Sequence, residues 1–395
     1  MGHLISGKSD LIPLIDRLNR YPVGLVDNEQ LRAILTLLFS AEEAYIAACF
    51  PLAEASSEEL AAATGLPVTE LLPKLERMAD KGLVMDLPCG DATYWLLMPG
   101  LIGFFEFTFM KRRTDLPLVE VARLMQAYLH EVRPGQAEEF FGSSTQLTRA
   151  LVSVDQVPVT STVTSWEDAR RIVREAGYGA AGLCFCRHRR EHLGATCAKG
   201  APVENICIAL GQGARFLVRR GFMQEQSTEE LLAILDTARQ HHLTHITDNI
   251  REQPSFICNC CHCCCELMAG VREGFPDGIA KTSFLAAVDA GLCNLCGRCF
   301  TACNVACIRP LPERGSAAVD QAVCLGCGAC LDACPQQALH FVHRPAPRRP
   351  PRTRTALYAR ILGEKGRLLP AVAAITSQRV KRLLKRKPCP GSGLP

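Results

Sequence analysis

The chain has 395 residues, of which 48% are hydrophobic, with a formal net charge of +4 and 22 cysteines. Its length and apolar content predict two or three domains with ample cores. A secreted disulfide scaffold is excluded because such scaffolds are short, and Lys8 and Asp10 interrupt the apolar stretch that a signal peptide needs. No stretch reaches the length of a membrane span. We therefore expect a protein of a reducing cytoplasm.

The first hundred residues are predicted to form a helical module that ends in a hairpin. Residues 31–50 read as one long apolar helix. A capping box at Ser56 and Glu59 starts the next helix, and Gly65 ends it. A further helix is predicted over 69–81, before the strand patterns LVMDL and ATYWLLM.

This order of helix, helix, turn, helix and hairpin resembles a winged helix, which would make DNA recognition one function of residues 1–100. The charges of the helix over 69–81 argue against DNA, because a DNA-binding helix concentrates Lys and Arg. Its charged residues balance, with Glu70, Glu76 and Asp80 against Lys74, Arg77 and Lys81. Protein docking or domain packing is the favoured role, and residues 101–165 are expected to form a helical connector.

Residues 166–283 are predicted to form a cysteine-rich α/β module with ten thiols. They comprise a C-x-C pair, two single cysteines and the dense run NCCHCCC: Cys184, Cys186, Cys197, Cys207, Cys258, Cys260, Cys261, Cys263, Cys264 and Cys265. Alternation along an extended chain would place Cys261, Cys263 and Cys265 on one face. The rest of the run, Cys258, Cys260 and Cys264, would face the other way.

We expect one or two iron–sulfur clusters in this middle module, one on the first four cysteines and one on the dense run. A C-x-C pair with scattered partners is not specific for a cluster, so zinc stays open as an alternative. Redox thiol chemistry is a second alternative, in which adjacent cysteines attack a disulfide or carry a persulfide.

Other residues of the middle module also invite a chemical interpretation. Cations follow the C-x-C pair directly and would lower the pKa of its thiols: Arg187, His188, Arg189, Arg190 and His192. His262, alone among six cysteines, is interpreted as a neighbour and not a ligand. Gly211 and Gly213 lack the third glycine of a dinucleotide fingerprint. The histidines after the predicted helix STEELLAILDTARQ read as a solvated end: His241, His242 and His245.

Residues 284–343 contain two matching cysteine runs. CNLCGRCFTAC begins at Cys293 and CLGCGACLDAC at Cys324, and each holds four cysteines at the same offsets. Three thiolates at C-x2-C-x2-C spacing converge on one centre and the fourth points elsewhere, as in paired iron–sulfur clusters. Structural zinc is the alternative, but a zinc ribbon uses two remote pairs. The pattern therefore indicates electron transfer.

The two runs resemble the bacterial two-cluster [4Fe-4S] ferredoxin, and the resemblance implies that the fourth cysteine of each run binds the other cluster. One cluster would then be held by Cys293, Cys296, Cys299 and Cys334. The other would be held by Cys324, Cys327, Cys330 and Cys303. The first run departs from the family, with Asn304 in place of proline and an additional Cys307, which we interpret as a small buried residue.

The segments CFCRHRR and ICNCCHCCC, together with the ferredoxin repeat, resemble a family of multi-cluster 4Fe-4S proteins of anaerobic bacteria and archaea. Members of that family begin with a winged-helix-like module. The resemblance spans residues 31–342. It implies iron–sulfur electron transfer and names no substrate.

Residues 344–395 form a basic tail, with fourteen Lys and Arg against Glu364 alone, so the remainder of the chain is net acidic. The tail begins with a proline-rich, extended stretch, and 372–387 are predicted to form a basic helix. Contact with an acidic partner, RNA or an anionic membrane surface is one interpretation, and a disordered solubilising tail is the other.

Together these patterns predict a multi-domain α+β protein that passes single electrons through two ferredoxin clusters, and one or two more, from a donor protein to a partner redox enzyme. No catalytic residue is assigned, because electron transfer needs no substrate pocket. Two alternatives stay open: a reductase that acts on a disulfide or similar small molecule at the central thiols, and a redox-sensing regulator that binds DNA.

Overall fold

The computed structural model describes residues 11–131, 135–152 and 166–384, without the side chains of 381–384. They fall into two compact units, the first made of residues up to 143 together with 358–384, and the second of residues 144–357. Both units contain helices, and their sheets are antiparallel, which confirms the α+β class. Within the described ranges, no helix combines the length and apolarity that a bilayer crossing requires.

The first unit opens with eight helices and a small sheet. The helices are α1 (Ile12–Leu18), α2 (Glu29–Leu38), α3 (Ala41–Ala48), α4 (Ser57–Thr64), α5 (Val68–Asp80), α6 (Phe105–Phe109), α7 (Leu118–His130) and α8 (Gln136–Phe141). The strands pair in the order β1–β3–β2, namely β1 (Ala55–Ser56), β3 (Ala92–Leu97) and β2 (Val84–Cys89).

The predicted single helix over 31–50 is wrong, because the chain breaks between α2 and α3. Phe39 leaves the helical conformation, and Ser40 caps α3 in a reciprocal box with Glu43. A capping box satisfies two backbone N–H groups that a continuous helix would otherwise bond internally. The apolar pattern runs through the break because each of the two helices buries apolar side chains, such as Leu35 of α2 and Ile46 of α3.

The next helix pair agrees with the sequence prediction. The Ser56–Glu59 capping box begins α4, and Gly65 ends it with a left-handed φ of 72°. Then α5 leads into the β2–β3 hairpin, whose Trp95 is fully buried and donates from Nε1 to Ser57 Oγ at 3.0 Å. This hydrogen bond ties the hairpin to the start of α4.

The second unit is built on a six-stranded antiparallel sheet with the order β4–β8–β9–β6–β5–β7. Its strands are β4 (Thr148–Ala150), β5 (Gly179–Gly182), β6 (Cys207–Leu210), β7 (Met223–Gln226), β8 (Thr244–Asp248) and β9 (Phe256–Cys260). Its helices are α9 (Ala169–Glu175), α10 (Phe185–His192), α11 (Gly211–Arg219), α12 (Thr228–Gln240) and α13 (Glu266–Arg272).

Strand alternation divides this sheet into an apolar face and a sulfur-bearing face. Ile208, Leu210 and Ile257 pack with α9 and α12 in one apolar cluster. Successive side chains of a strand point to opposite faces. Cys207, Cys258 and Cys260 therefore lie on the other face, so that the helix layer and the thiols do not compete for space.

The ferredoxin repeat adds two two-stranded antiparallel sheets and a short helix to the second unit. Its elements are β10 (Phe284–Val288), α14 (Arg298–Ala302), β11 (Ile308–Leu311), β12 (Ser316–Val319) and β13 (Leu339–His343). Strand β10 pairs antiparallel with β13 and β11 with β12. The pairing of Phe284 with His343 closes the repeat at its two ends.

The tail contains two helices, α15 (Arg354–Glu364) and α16 (Leu368–Leu384). The predicted basic helix corresponds to α16. Between these helices Lys365 and Arg367 reach Glu139, their nitrogens lying 2.8 and 3.0 Å from Oε1. Gln378 on α16 donates to the backbone oxygen of Glu54 at 2.9 Å. Residues 358–384 of the tail thus belong to the first unit, and these contacts hold them there.

Candidate metal centres

Four cysteines of the ferredoxin repeat surround one cavity of about 350 Å³, part of it open to solvent. We call this group the first ferredoxin site: Cys293, Cys296, Cys299 and Cys334. Burial, together with the charges of the other three, raises the pKa of Cys299 to about 11. None of these sulfurs touches another in the described part of the chain, so the group frames a space that a polynuclear cluster could fill. Cys296 is exposed.

A second group is assembled from the last cysteine of the first run and the first three of the second run. This second ferredoxin site consists of Cys303, Cys324, Cys327 and Cys330, whose charges act on one another. Gly326 in this segment has a φ of 70°, and a Cβ there would lie 2.1 Å from the backbone oxygen of Phe284. Only glycine fits that approach of the cysteine loop to β10.

Cys307 belongs to the surroundings of the second ferredoxin site. It is buried, as the sequence interpretation expected, but its Sγ also lies 3.4 Å from that of Cys303. Its thiol lowers the pKa of Cys303 to about 7 and that of Cys324 to about 6. Sequence spacing missed this role because Cys307 lies outside the ferredoxin offsets. The x3 spacing to Cys303 was the available signal.

Asn304, which stands where the ferredoxin pattern has proline, joins the ferredoxin repeat to the sheet. It is 2% exposed, and its Nδ2 donates to the backbone oxygen of His242 and to Thr244 Oγ1, both at 2.9 Å. Its Oδ1 accepts from the backbone N–H of His262 at 3.0 Å. The Thr244 hydroxyl in turn donates to Cys327 Sγ at 3.3 Å. The middle module therefore reaches the second ferredoxin site directly.

Six cysteines of the middle module form a closed ring in which each thiol lies within hydrogen-bonding reach of two others. In order round this thiol ring they are Cys184, Cys186, Cys265, Cys260, Cys258 and Cys207. Helices α10 and α13 begin directly after Cys184 and Cys265, so their positive ends favour thiolate at these positions. The pKa is lowered at Cys184, Cys258 and Cys265, and raised at Cys186, Cys207 and Cys260.

The four remaining cysteines of the middle module form a separate, tighter group. In this four-thiol site, the sulfurs of Cys197, Cys261, Cys263 and Cys264 all lie within 4.8 Å of one another. The Cys197 sulfur is 3.7 Å from those of Cys261 and Cys263. The Cys263 sulfur is 3.6 Å from those of Cys261 and Cys264.

This grouping differs from both sequence expectations for the middle module. Cys197 does not join Cys184, Cys186 and Cys207, and the dense run is shared between the two groups. Alternation fails at Cys264 and Cys265 because β9 ends at Cys260 and the chain turns before α13 begins. Only residues of a continuous strand alternate between faces.

Buried cations accompany both groups of thiols. Arg187 is 1% exposed, donates from Nη2 to the backbone oxygen of Asn259 at 3.0 Å, and has no hydrogen-bond partner for Nη1 among the described residues. Burial alone would lower its pKa, but the charges of Cys184 and Cys261 raise it above the ordinary value. Arg189 is also buried and pairs with Glu266. The predicted cationic stretch is thus largely interior, and it can balance thiolate charge.

Lys199 lies between the four-thiol site and the second ferredoxin site. Its Nζ donates to the backbone oxygens of His242 and Ala302, each at 2.8 Å. Burial lowers its pKa, while the charges of Cys327 and Cys261 oppose that shift. The same cation therefore faces thiols of both sites.

Two histidines of the middle module, His241 and His245, have ring hydrogen-bond partners. His262 contributes no ring nitrogen to the four-thiol site. His245 is buried instead of solvated, and its Nδ1 lies 2.6 Å from Asn259 Oδ1. His241 Nδ1 lies 3.0 Å from the backbone oxygen of Lys199. Gly211 opens α11 directly after β6, as the strand-to-helix prediction required, without a third glycine.

Comparison with known protein families bears on the ferredoxin repeat. Residues 292–338 match the family model of the 4Fe-4S dicluster domain. The C-terminal part of the chain therefore carries a ferredoxin-type iron–sulfur domain, and the paired cysteine groups are of the kind that such a domain uses. No significant match to the chain is found among curated proteins or among solved structures.

The residues present fit iron–sulfur cofactors at the ferredoxin repeat. The cavity of the first ferredoxin site is walled by thiols and by apolar side chains such as Leu295 and Leu339. Thiolates supply the ligands, and an apolar wall excludes water from inorganic sulfur. Iron–sulfur chemistry and its electron transfer are thereby supported for the chain, alongside the many cysteines of the middle module.

Proposed function

We propose that this protein is a cytoplasmic electron carrier or redox subunit that passes single electrons between a donor protein and a partner enzyme. The first ferredoxin site would hold one [4Fe-4S] cluster, and the second ferredoxin site another. When bound, such clusters store and release one electron at a time. The thiol ring is the candidate for a further cluster.

The single observation that carries this proposal is the contact between the middle module and the second ferredoxin site. Asn304, Thr244 and Lys199 bridge the two through hydrogen bonds, of which that from Asn304 to Thr244 is buried and the other two are partly buried. If the chemistry of the middle module were unrelated to the ferredoxin repeat, hydrogen bonds from Asn304 through Thr244 to the sulfur of Cys327 would serve no purpose. We infer that the middle thiols and the ferredoxin repeat work as one redox unit.

The exposed Cys296 supports the first ferredoxin site as the place where electrons enter or leave. The thiol ring is less accessible, since five of its six cysteines are buried and Cys258 is half-buried. That burial speaks against a reductase in which a bulky disulfide attacks the ring.

We also propose that α4, α5 and the β2–β3 hairpin form a winged-helix-like module that serves in packing or protein docking. Lys74 Nζ lies 2.7 Å from Glu42 Oε1, and Lys81 Nζ lies 2.7 Å from Glu43 Oε2. Two of the basic residues that could meet DNA phosphates are thus paired with α3. A DNA-binding regulator needs such residues free.

The test uses the full chain purified without oxygen. Iron is counted per chain, and EPR spectra are recorded after reduction with dithionite, with and without replacement of Cys299 by Ser. We expect at least about eight irons and signals from two reducible clusters, one of which is lost or altered in the variant. A protein without a signal on reduction, with zinc at the ferredoxin cysteines, would overturn the proposal.

A further inference from the structure

The four-thiol site differs in size from the ferredoxin sites of the same chain. At the first ferredoxin site the four cysteines line a cavity, and among the described residues their sulfurs do not all lie within 4.8 Å of one another. At the four-thiol site four of the six sulfur–sulfur distances are 3.6–3.7 Å, and the other two lie within 4.8 Å. A cubane places four irons and four sulfides between its ligands, so its thiolates must stand well apart. The four-thiol site leaves no room for that.

Those distances agree with ligands around a single ion. A tetrahedral ion with metal–sulfur bonds of about 2.3 Å has ligand sulfurs about 3.8 Å apart, since the edge of a tetrahedron is about 1.6 times its centre-to-corner distance. All six sulfur pairs lie below 4.8 Å, so the four thiols form a closed set. Closed sets of four cysteine ligands are typical of structural metal sites.

The surroundings supply the charge and the hydrogen bonds that such a complex requires. Four thiolates around a divalent ion carry a net charge of −2, and the buried Arg187 and the half-buried Lys199 carry two positive charges beside them. The backbone N–H of Ala198 donates to Cys263 Sγ at 3.3 Å. Donors of this kind, placed just outside the ligands, orient and stabilise ligand thiolates.

We infer that Cys197, Cys261, Cys263 and Cys264 bind one tetrahedral divalent ion, Zn²⁺ or Fe²⁺, separate from the thiol ring. The ion joins the loop after α10 to the turn after β9. That turn separates Cys260 from Cys265, so the ion fixes the distance between two halves of the ring. This inference does not depend on the proposed electron-transfer function, because a structural ion would serve either a carrier or an enzyme.

The experiment compares the full chain, purified without oxygen, with Cys263→Ser and Cys264→Ser, and with Cys89→Ser as a control in the β2–β3 hairpin. Zinc and iron are counted per chain, and X-ray absorption is measured at both metal edges. We expect each site variant to lose about one ion while the EPR signals of the ferredoxin sites persist, and the control to lose none. The element that is lost identifies the ion.

The inference is overturned if the site variants lose about four irons, or if the absorption data for the ion at these cysteines require a second metal as a neighbour. If both variants fail to fold, the wild-type chain is expressed with Co²⁺ and its visible spectrum is recorded. Intense tetrahedral Co–thiolate bands are expected, and their absence would equally overturn the inference. Because the readout is metal content and not electron transfer, its failure is distinguishable from failure of the proposed function.

Discussion

The Thr244 hydroxyl serves two neighbours at once: it donates to Cys327 Sγ and accepts from Asn304 Nδ2. A hydrogen bond to a ligand sulfur stabilises the more negative, reduced form of a cluster. A neutral hydrogen bond contributes about 0.5–1.5 kcal/mol, which corresponds to tens of millivolts for a one-electron couple. We therefore expect Thr244→Val to shift the midpoint potential of one cluster downward by that amount.

The measurement is an EPR-monitored redox titration of the full chain. Thr244→Ser is the matched control, because it keeps the hydroxyl and loses only a methyl group. An unchanged potential in Thr244→Val, or an equal shift in Thr244→Ser, would contradict the assignment of this hydrogen bond.

Asn304 stabilises the junction between the ferredoxin repeat and the sheet through the hydrogen bonds of its buried side chain. Replacing it by Ala leaves the N–H of His262 without its partner and removes one of the two donors to the backbone oxygen of His242, the other being Lys199 Nζ. An unsatisfied buried polar group costs about 1–3 kcal/mol. Asn304→Ala is therefore expected to lower the urea midpoint at which the visible cluster absorbance is lost. Gln224→Ala, at an exposed residue of β7, should have little effect, and equal losses in both variants would refute this account.

The sequence predicts cysteine groups that depend on short spacings, but not those that depend on contacts between remote residues. The short ferredoxin offsets predicted that Cys293, Cys296 and Cys299 lie together, and the resemblance to the two-cluster ferredoxin added Cys334, which lines the same cavity. The partition of the middle cysteines was out of reach, since Cys197 meets Cys261 and Cys263 only through the sheet and the turn after β9. Asn304 was visible as a departure from proline, but its three partners come from remote parts of the chain.

Capping chemistry decided how well the elements could be predicted. The box at Ser56–Glu59 precedes a clear apolar pattern, and α4 begins where that signal places it. The box at Ser40–Glu43 is the same signal inside an unbroken apolar stretch. There, the 3.6-residue periodicity could not distinguish one helix from two, because apolar residues are buried on both sides of the break.

One carboxylate holds the segment between the two tail helices. Glu139 on α8 receives hydrogen bonds from the backbone N–H of Gly24, from Lys365 Nζ and from Arg367 Nη1. Although burial opposes the shift, these donors keep the pKa of Glu139 below its usual value of 4.5. A carboxyl group with a lowered folded-state pKa stabilises the fold above its unfolded pKa, and this contribution disappears as the pH falls through the folded pKa.

We expect Glu139→Gln to lower the free energy of unfolding of the first unit by about 1–3 kcal/mol at pH 7. The difference from the parent protein should narrow as the pH falls below 4.5, where the parent loses the same charge. Urea unfolding is followed by fluorescence of Trp95 in a Trp166→Phe background. Glu70→Gln, at an exposed residue of α5, is the control. A pH-independent difference would indicate that the charge of Glu139 is not responsible.

At the scale of the whole molecule, the cysteine sites differ in their exposure to solvent. Cys296 of the first ferredoxin site is exposed, whereas Cys324 and Cys330 of the second are buried. Small oxidants therefore reach the first site sooner. We expect ferricyanide to release iron in two phases, with about four irons in the faster one.

Iron release is measured with a chelator that colours on binding Fe²⁺, after reduction of the released iron. Cys296→Ser should alter the fast phase, and Cys327→Ser should alter the slow one. A single phase in the parent protein, or an unchanged fast phase in Cys296→Ser, would mean that exposure does not set the order of loss.

The chain path through the two units has a consequence for how the protein is made. The second unit is one continuous segment, residues 144–357, whereas the first unit needs residues from both before and after it. During synthesis, the cysteine-bearing unit is therefore complete before α16, the last described helix, leaves the ribosome. The second unit can therefore bind its metals before α16 joins the first unit. In that order, cofactor insertion precedes completion of the first unit during biosynthesis.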